Sequence, residues 1–416
     1  MKRISLKQFV FLIPLLLFIA VFSVYPIVTS CLYSFFDYRT NDQQKNKFYT
    51  NEQLNVSLLV EDLQYINYYL NTDLALTQGM TGKPVVSDED KAEMTELMNT
   101  VSATMEKYDA NDGVRAFKSG EKDELEALFD DIESKLNAFY NEKYPDAEFF
   151  NRENTPIIME NLRTAVVESN YIGGSNYSTL IKDTRFWKAL AHTLIFMFCS
   201  VALEFCLGMC LALIMNKAMK GIGLVRTIGL IPWAIPTAVS ALMWSYMYDG
   251  SFGIISKILS DIGLIGKSTD MLLTSTGAMA SAIFADVWKT TPYMALLLLA
   301  GLQNIDRGLY EASAIDGCGP VKNFFQITLP LMKSSIMVAL LFRTLDSFRV
   351  YDLIAILTNG GPGNGTETLS VYAYKLMFGQ SNYGYGSTVV IGMFVCVAII
   401  AIFYVKVLGA EVISND

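Results

Sequence analysis

Four ionisable residues stand three apart in an otherwise apolar stretch: Arg343, Asp346, Arg349 and Asp352. On a helix that spacing puts opposite charges on neighbouring turns, so Arg343–Asp346 and Arg349–Asp352 form pairs along one face. Charge on an apolar helix is costly in hydrocarbon and turns towards a protein interior or a water-filled path. The ladder therefore has two readings of equal weight, a structural rail of ion pairs or the border of a polar path. Exchanging Arg343 with Asp346 keeps opposite charges facing each other and is expected to preserve folding under both. His192 is the only histidine, so a proton relay lacks a second imidazole and a cross-helix hydrogen bond is the simpler assignment. Glu204 is similarly isolated in its own apolar stretch. Cys206 and Cys210 lie one helical turn apart with no histidine near them, and read as small residues of a helix contact rather than metal ligands. No metal site is expected.

The elements that hold these residues follow from composition. The chain has 416 residues, 52% of them hydrophobic, and a mean hydropathy of +0.32, more apolar surface than an ordinary soluble domain buries. Six stretches are long enough to span a bilayer, Gln8–Phe36, Trp187–Met215, Ile222–Met247, Leu272–Leu302, Ile336–Leu357 and Ser387–Val405, since about 18 or more apolar residues suffice. The expected fold is an all-α membrane protein with six transmembrane helices and a large, largely helical extracytoplasmic insertion after the first. Gln8–Phe36 is too long for a cleaved signal peptide and lacks a small-residue cleavage site, so it reads as an anchoring span kinked by Pro14 and Pro26.

Charge is divided sharply. Asp37–Arg185 carries 15 basic and 28 acidic side chains against a whole-chain net charge of −9, so all other residues together are positive. Lys and Arg in short loops set orientation. Lys2, Arg3, Lys7, Lys217, Lys220, Arg226, Arg307, Lys322, Lys333 and Lys406 all fall on one side, which places both termini in the cytoplasm and the acidic insertion outside. The expected division is 1–36 for the N-terminus and first span, 37–185 for the insertion, and 186–416 for a five-span core. Within the insertion, Met94, Leu97, Met98, Val101 and Met105 share one helical face, as do Leu125, Leu128, Phe129, Ile132 and Leu136. Asp109–Gly113 reads as the turn between them. Tyr65–Leu70 and Asn154–Val167 give no clear period. None of the six cysteines lies in the insertion, so packing rather than disulfides must hold it together.

Between the fourth and fifth stretches, in a loop spanning 303–333, the sequence reads Tyr310-Glu-Ala-Ser-Ala-Ile-Asp-Gly317 and ends at Ile327-Thr-Leu-Pro330. Leu309–Ile315 suits a short helix stopped by Gly317, with a second apolar-faced turn ending at Pro330. Small Ala312, Ser313 and Ala314 permit close approach of a partner, and Glu311 can make charge-assisted hydrogen bonds there. This segment resembles the EAA loop of binding-protein-dependent ATP-binding-cassette importers: Glu311, Ala312, Gly317, Ile327, Leu329 and Pro330 match, and Ser313 replaces the second alanine. Asp316 lies within the same motif. The resemblance implies that the knob docks in a cleft of an ATPase subunit and transmits its closure to the membrane helices. Gly266-Lys267-Ser268 lacks the upstream glycine of a phosphate-binding loop, where Asp261 stands. No cofactor is expected in this chain; ATP and Mg²⁺ belong to the partner ATPase, and the chain itself is not an enzyme.

Pro14, Tyr25-Pro26, Phe186–Leu190, Pro232-Trp-Ala-Ile-Pro236 and Leu357-Thr-Asn-Gly-Gly-Pro362 together resemble carbohydrate permeases of the maltose and glycerol-phosphate transporter kind. That family places an external domain at the position of the insertion, where it touches the solute-binding protein. The resemblance implies a subunit of a sugar importer in the bacterial cytoplasmic membrane. Its partners would be a second permease, two ATPase subunits, an external binding protein, membrane lipid and a mono- or oligosaccharide, with no nucleic acid. In that setting Tyr351, Asn359, Trp233 and Tyr383 could stack on or hydrogen-bond a sugar ring, with packing as the rival role. Import of glycerol phosphate or a polyol, and a receptor with an external sensor domain, are the alternatives.

Overall fold

The computed structural model describes residues 6–76, 86–217 and 221–414; Lys2, Arg3 and Lys220 lie outside the described residues. The described residues are mostly helical, and the chain divides into two compact units, Phe36–Ile172 and Met1–Phe35 with Gly173–Asp416. The first apolar stretch forms α1 (Leu6–Ile19) and α2 (Tyr25–Tyr33), joined by a π-helical turn over Ala20–Val24. Pro14 sits inside α1 and Pro26 in the first turn of α2, where a missing N–H is tolerated.

In the Phe36–Ile172 unit, α3 (Val56–Leu76), α4 (Asp88–Met105), α5 (Glu121–Asn137) and α6 (Asn154–Thr164) surround one apolar core. Both helices read from the sequence period are present: α4 buries Met94, Leu97 and Val101, and α5 buries Leu125, Phe129, Ile132 and Leu136. Each such side chain contributes about 1.5–3 kcal/mol. Ser87 caps α4 by accepting the Asp90 N–H at 3.0 Å, and three acids in the first turn complement the helix dipole. The Asp109–Gly113 turn closes with Asp112 N–H donating to Asp109 O at 2.9 Å. The stretches without a readable period are the middle of α3, and α6 with a strand. Beside the helices of this largely helical unit stands a small sheet, in which β1 (Gln53–Asn55) is paired antiparallel with β2 (Val114–Ala116) and β3 (Val166–Val167). Strands of two or three residues are too short to print an alternating pattern.

Asp62 on α3 is buried, and its Oδ2 has no hydrogen-bond partner. Burial, with Glu61 beside it, pushes its carboxyl up to about 6. The folded unit therefore holds the Asp62 proton more tightly than the unfolded chain, and stability falls as pH rises through the window from about 4 to about 6. We expect Asp62→Asn to gain on the order of 2 kcal/mol over the parent at about pH 7.5, roughly half of that at about pH 5, and nothing below about pH 4. Hydrogen exchange of α3 peptides, compared between variant and parent at each pH, reads this; equal protection at the higher pH would contradict it.

The other unit continues through α7 (Ser175–Lys182), α8 (Thr184–Asn216), α9 (Ile222–Ala234), α10 (Thr237–Met247), α11 (Ile254–Asp261), α12 (Asp270–Leu273) and α13 (Ser275–Gln303). It ends with α14 (Arg307–Ile315), α15 (Pro320–Asn323), α16 (Leu329–Leu331), α17 (Lys333–Phe348), α18 (Asp352–Leu357), α19 (Leu369–Tyr374) and α20 (Tyr383–Ser414). Among the described residues three helices are long and apolar enough to cross a membrane, Leu12–Tyr33, Thr184–Asn216 and Tyr383–Val407. The number rises to five if two bent pairs, α9 with α10 at 87° and Pro320–Leu331 with α17 at 71°, each count as one. The fourth expected stretch is the 29-residue α13, which is not among them: Asp286 and Lys289 stand at its middle.

The long α8 and α13 are the spine of this unit. Gly208 makes their close approach possible, since a Cβ there would lie 2.8 Å from Met294 Cγ. Cys206 and Cys210 are exposed on the other side of α8, so the close contact expected of them falls to Gly208. Around the spine, Ile336 and Ala339 of α17 join Met209, Ala212, Met294 and Leu298 in one apolar cluster.

Candidate functional site

The middle of the bundle holds a charged cluster. Arg343 on α17 is 1% exposed and Glu204 on α8 is fully buried. Arg343 Nη2 donates to Glu204 Oε1 at 2.8 Å while its Nε bonds Glu204 Oε2, a two-pronged pair. Nη2 also reaches Asp286 of α13, and Nη1 donates to Asp346 Oδ2 at 2.9 Å. Thr290 Oγ1 donates to Glu204 Oε1 at 2.7 Å. One guanidinium thus ties α8, α13 and α17 together, with three carboxylates around it. Glu204, isolated in the sequence, is the partner that one-dimensional reading missed, and Asp286 and Lys289 were missed with it. Mid-span charges on other helices were the available signal.

The ladder itself is corrected. Arg343–Asp346 pairs as expected, but α17 ends at Phe348, so Arg349 and Asp352 are not on its face. Arg349 lies 3.5 Å from Asp346, and no ion pair joins it to Asp352. The single span expected over Ile336–Leu357 is broken at 349–351, and this break opens a cleft of 360 Å³. Trp233, Asp286, Lys289, Thr290, Arg343, Asp346, Arg349, Tyr351 and Asp352 line it. Lys289, 8% exposed, has Nζ 3.5 Å from Trp233 O. Trp233 stacks on Tyr293 with ring centres 5.7 Å apart. Of the residues proposed to meet a solute, six come together here: Arg343, Asp346, Arg349, Asp352, Tyr351 and Trp233. Tyr383 stands apart, reached from Tyr351 only through Tyr374 and Phe378 at successive centroid spacings of 4.9, 4.8 and 5.7 Å. Asn359 is exposed at a left-handed turn with φ of 48° and does not line the cleft.

At the α8 N-terminus a second polar network fixes the 358–368 loop. Glu367, 1% exposed, receives Arg185 through two bonds (2.7 and 2.8 Å) and Lys375 at 2.9 Å. Asp183 caps α8 and accepts from Tyr372 and Tyr385. His192 Nδ1 lies 3.3 Å from Glu367 O, so the bond expected between helices runs instead from α8 to the backbone of this loop.

At the far end of α8 and α13 the Tyr310–Pro330 segment folds as a compact hairpin. Asp306 caps α14 by accepting the Gly308 N–H at 2.9 Å. Gly317 closes it at φ of 74°, with Cys318 N–H donating to Ser313 O and Gly317 N–H to Ala314 O, a glycine-dependent helix stop. The second arm contains a π-helical turn, Phe324–Thr328. Ser313 does not face outward with Ala312 and Ala314: it is buried and donates to Asn323 Oδ1 at 2.5 Å, binding the two arms. Tyr310 and Thr328 hydroxyls meet at 2.8 Å. Phe324 and Leu329 root the hairpin in the apolar cluster of α8, α13 and α17. Its tip is left uncovered: Ile315 is 87% exposed and Val321 70%, and Glu311, Ala312, Asp316 and Pro330 are exposed beside them.

The family described as binding-protein-dependent transport system inner membrane component matches residues 204–412. Over 244 residues the chain is 45% identical to the trehalose/maltose transport system permease protein MalF of Thermococcus litoralis, covering 59% of this chain and 82% of that protein. It is 40% identical over 243 residues to the trehalose transport system permease protein SugA of Mycobacterium tuberculosis, covering 58% and 76%. Among solved structures, a bacterial importer of the acidic polysaccharide alginate is similar with a TM-score of 0.52 at 25% identity, over 58% of this chain and 84% of that one.

Proposed function

The chain belongs to the inner-membrane component family of binding-protein-dependent transport systems, and from that premise we propose that it is the permease through which a neutral sugar enters the cell. The observation that carries the reading is the hairpin, rooted in the bundle at Phe324 and Leu329 and bare at Ile315 and Val321. Such a patch fits a protein partner. Here the partner is an ATPase subunit, two of which would drive this chain and a second permease. Glu311, Ala312, Asp316, Gly317 and Pro330 meet or shape that contact, and Ser313 and Leu329 hold the hairpin to the bundle.

Six crossings account for the whole chain, with 37–185 outside and both termini cytoplasmic. Ser34 Oγ lies 2.7 Å from Tyr177 OH, and Ser275 Oγ donates to Pro362 O, which supports a shared end for the first, second, fourth and fifth crossings. The insertion then faces the binding protein. An impermeant thiol reagent is expected to label Asn111→Cys on intact cells; labelling only after permeabilisation would contradict this orientation.

The cleft is proposed as the solute path. Its lining has three cations, Lys289, Arg343 and Arg349, and three carboxylates, Asp286, Asp346 and Asp352, a balanced set of donors and acceptors suited to hydroxyl groups. Arg343 gives all its donor nitrogens to Glu204, Asp286 and Asp346 and has no free fork for a phosphate, which weakens the glycerol-phosphate alternative. The test is uptake into proteoliposomes holding the complete transporter, with its binding protein outside and ATP inside. ATP-dependent accumulation of maltose or trehalose without glycerol 3-phosphate is expected; the reverse selectivity would overturn the neutral-sugar reading.

A further inference from the structure

The Phe36–Ile172 unit contains a cleft that the transport reading leaves unused. It lies among the end of α5, the π-helical turn Ala138–Lys143, the 145–153 loop and the start of α6, and measures 640 Å³, within the range of about 300–1,000 Å³ usual for small-molecule sites. π-helical turns gather at functional sites. This one keeps two amides together, with Asn141 Nδ2 3.2 Å from Asn137 Oδ1. Glu148, Phe150, Arg152 and Glu153 complete the lining.

Phe150 is 72% exposed, yet its backbone is firmly held. Asp73, 1% exposed, accepts the Phe150 N–H at 3.0 Å, the Asn151 N–H at 3.2 Å and the Tyr140 hydroxyl at 2.8 Å. Arg152 Nη1 donates to Pro145 O at 2.5 Å, and Nη2 to Asn141 Oδ1 at 3.3 Å. A carboxylate inside a core is costly unless its bonds repay its lost hydration. Here those bonds fix a loop whose result is a bare aromatic ring beside amides, carboxylates and a guanidinium. Core packing gives no reason for that ring.

We propose that this cleft binds a short neutral saccharide, separately from the transport path. The apolar C–H face of a pyranose stacks on the Phe150 ring. Sugar hydroxyls donate to Glu148 and Glu153, which line the cleft, and accept from the Asn137 amide and the Arg152 guanidinium. Pre-ordering of the loop by Asp73 lowers the cost of binding.

The full chain in lipid nanodiscs, titrated with maltotriose and with trehalose, tests this by calorimetry and saturation-transfer NMR. Binding of at least one saccharide is expected, weakened about tenfold or more by Phe150→Ala and severalfold by Glu153→Gln, and unaltered by Tyr68→Ala, an exposed aromatic of the same unit that does not line this cleft. Since Phe150 is exposed, its truncation leaves the fold intact, which hydrogen exchange of α5 checks. No binding of either sugar to the parent chain overturns the proposal, as does parent-like binding by Phe150→Ala. If Phe150→Ala weakens capture of the purified binding protein but leaves saccharide binding unchanged, the cleft is a protein seat and the proposal fails.

Discussion

Exchanging the charges of Arg343 and Asp346 is expected to destroy the bundle, although the pair itself would still match. An acid at position 343 would face Glu204 and Asp286 across a buried contact, with no cation left between α8 and α13. Removing one member of a buried ion pair costs about 3–5 kcal/mol, and reversal adds repulsion to that loss. The exchanged chain should therefore run as aggregate on size exclusion. Arg343→Met combined with Glu204→Gln and Asp286→Asn should recover most of the folded peak. By contrast Arg349→Ala, whose parent side chain is 70% exposed, should alter stability by less than about 1 kcal/mol. An exchanged chain that folds like the parent would mean that Glu204 and Asp286 are not what holds Arg343.

Gly317→Val should lower uptake about tenfold or more in a transporter that still assembles. A β-branched residue at φ of 74° is strained by about 1–2 kcal/mol, although no atom stands within 4 Å of the added Cβ. The strain therefore falls on the stop of α14 and on the angle between the two arms, not on the core. Gly317→Asn, which tolerates the left-handed region, should retain more activity, and Glu311→Ala should lose binding-protein-stimulated ATP hydrolysis without loss of assembly. Stimulation equal to the parent in both Gly317→Val and Glu311→Ala would remove the hairpin from the coupling role.

Much of this was legible in the sequence because it is local. The α4 and α5 faces repeat every three to four residues, and Gly317 follows α14 at the place a helix stop requires. The cleft was only half legible. Arg343 and Asp346 are one turn apart, but Glu204 and Asp286 are 139 and 57 positions from Arg343, and no period in one helix announces partners on two others. The break after Phe348 was hidden because Val350, Leu353 and Ile354 keep the stretch apolar across it. Ser313 was read as outward with its small neighbours; its hydroxyl instead finds Asn323, a bond visible only once the second arm folds back.

The Trp233–Tyr351 cleft is the proposed path of the sugar. Its most direct test is the thiol-labelling rate of Tyr351→Cys in a transporter whose six native cysteines have been replaced, in the presence of binding protein and ATP. The transported sugar is expected to slow labelling, and a sugar which is not transported to leave it unaltered. A labelling rate that is the same with and without the transported sugar, in a transporter that accumulates it at the parent rate, would contradict the claim.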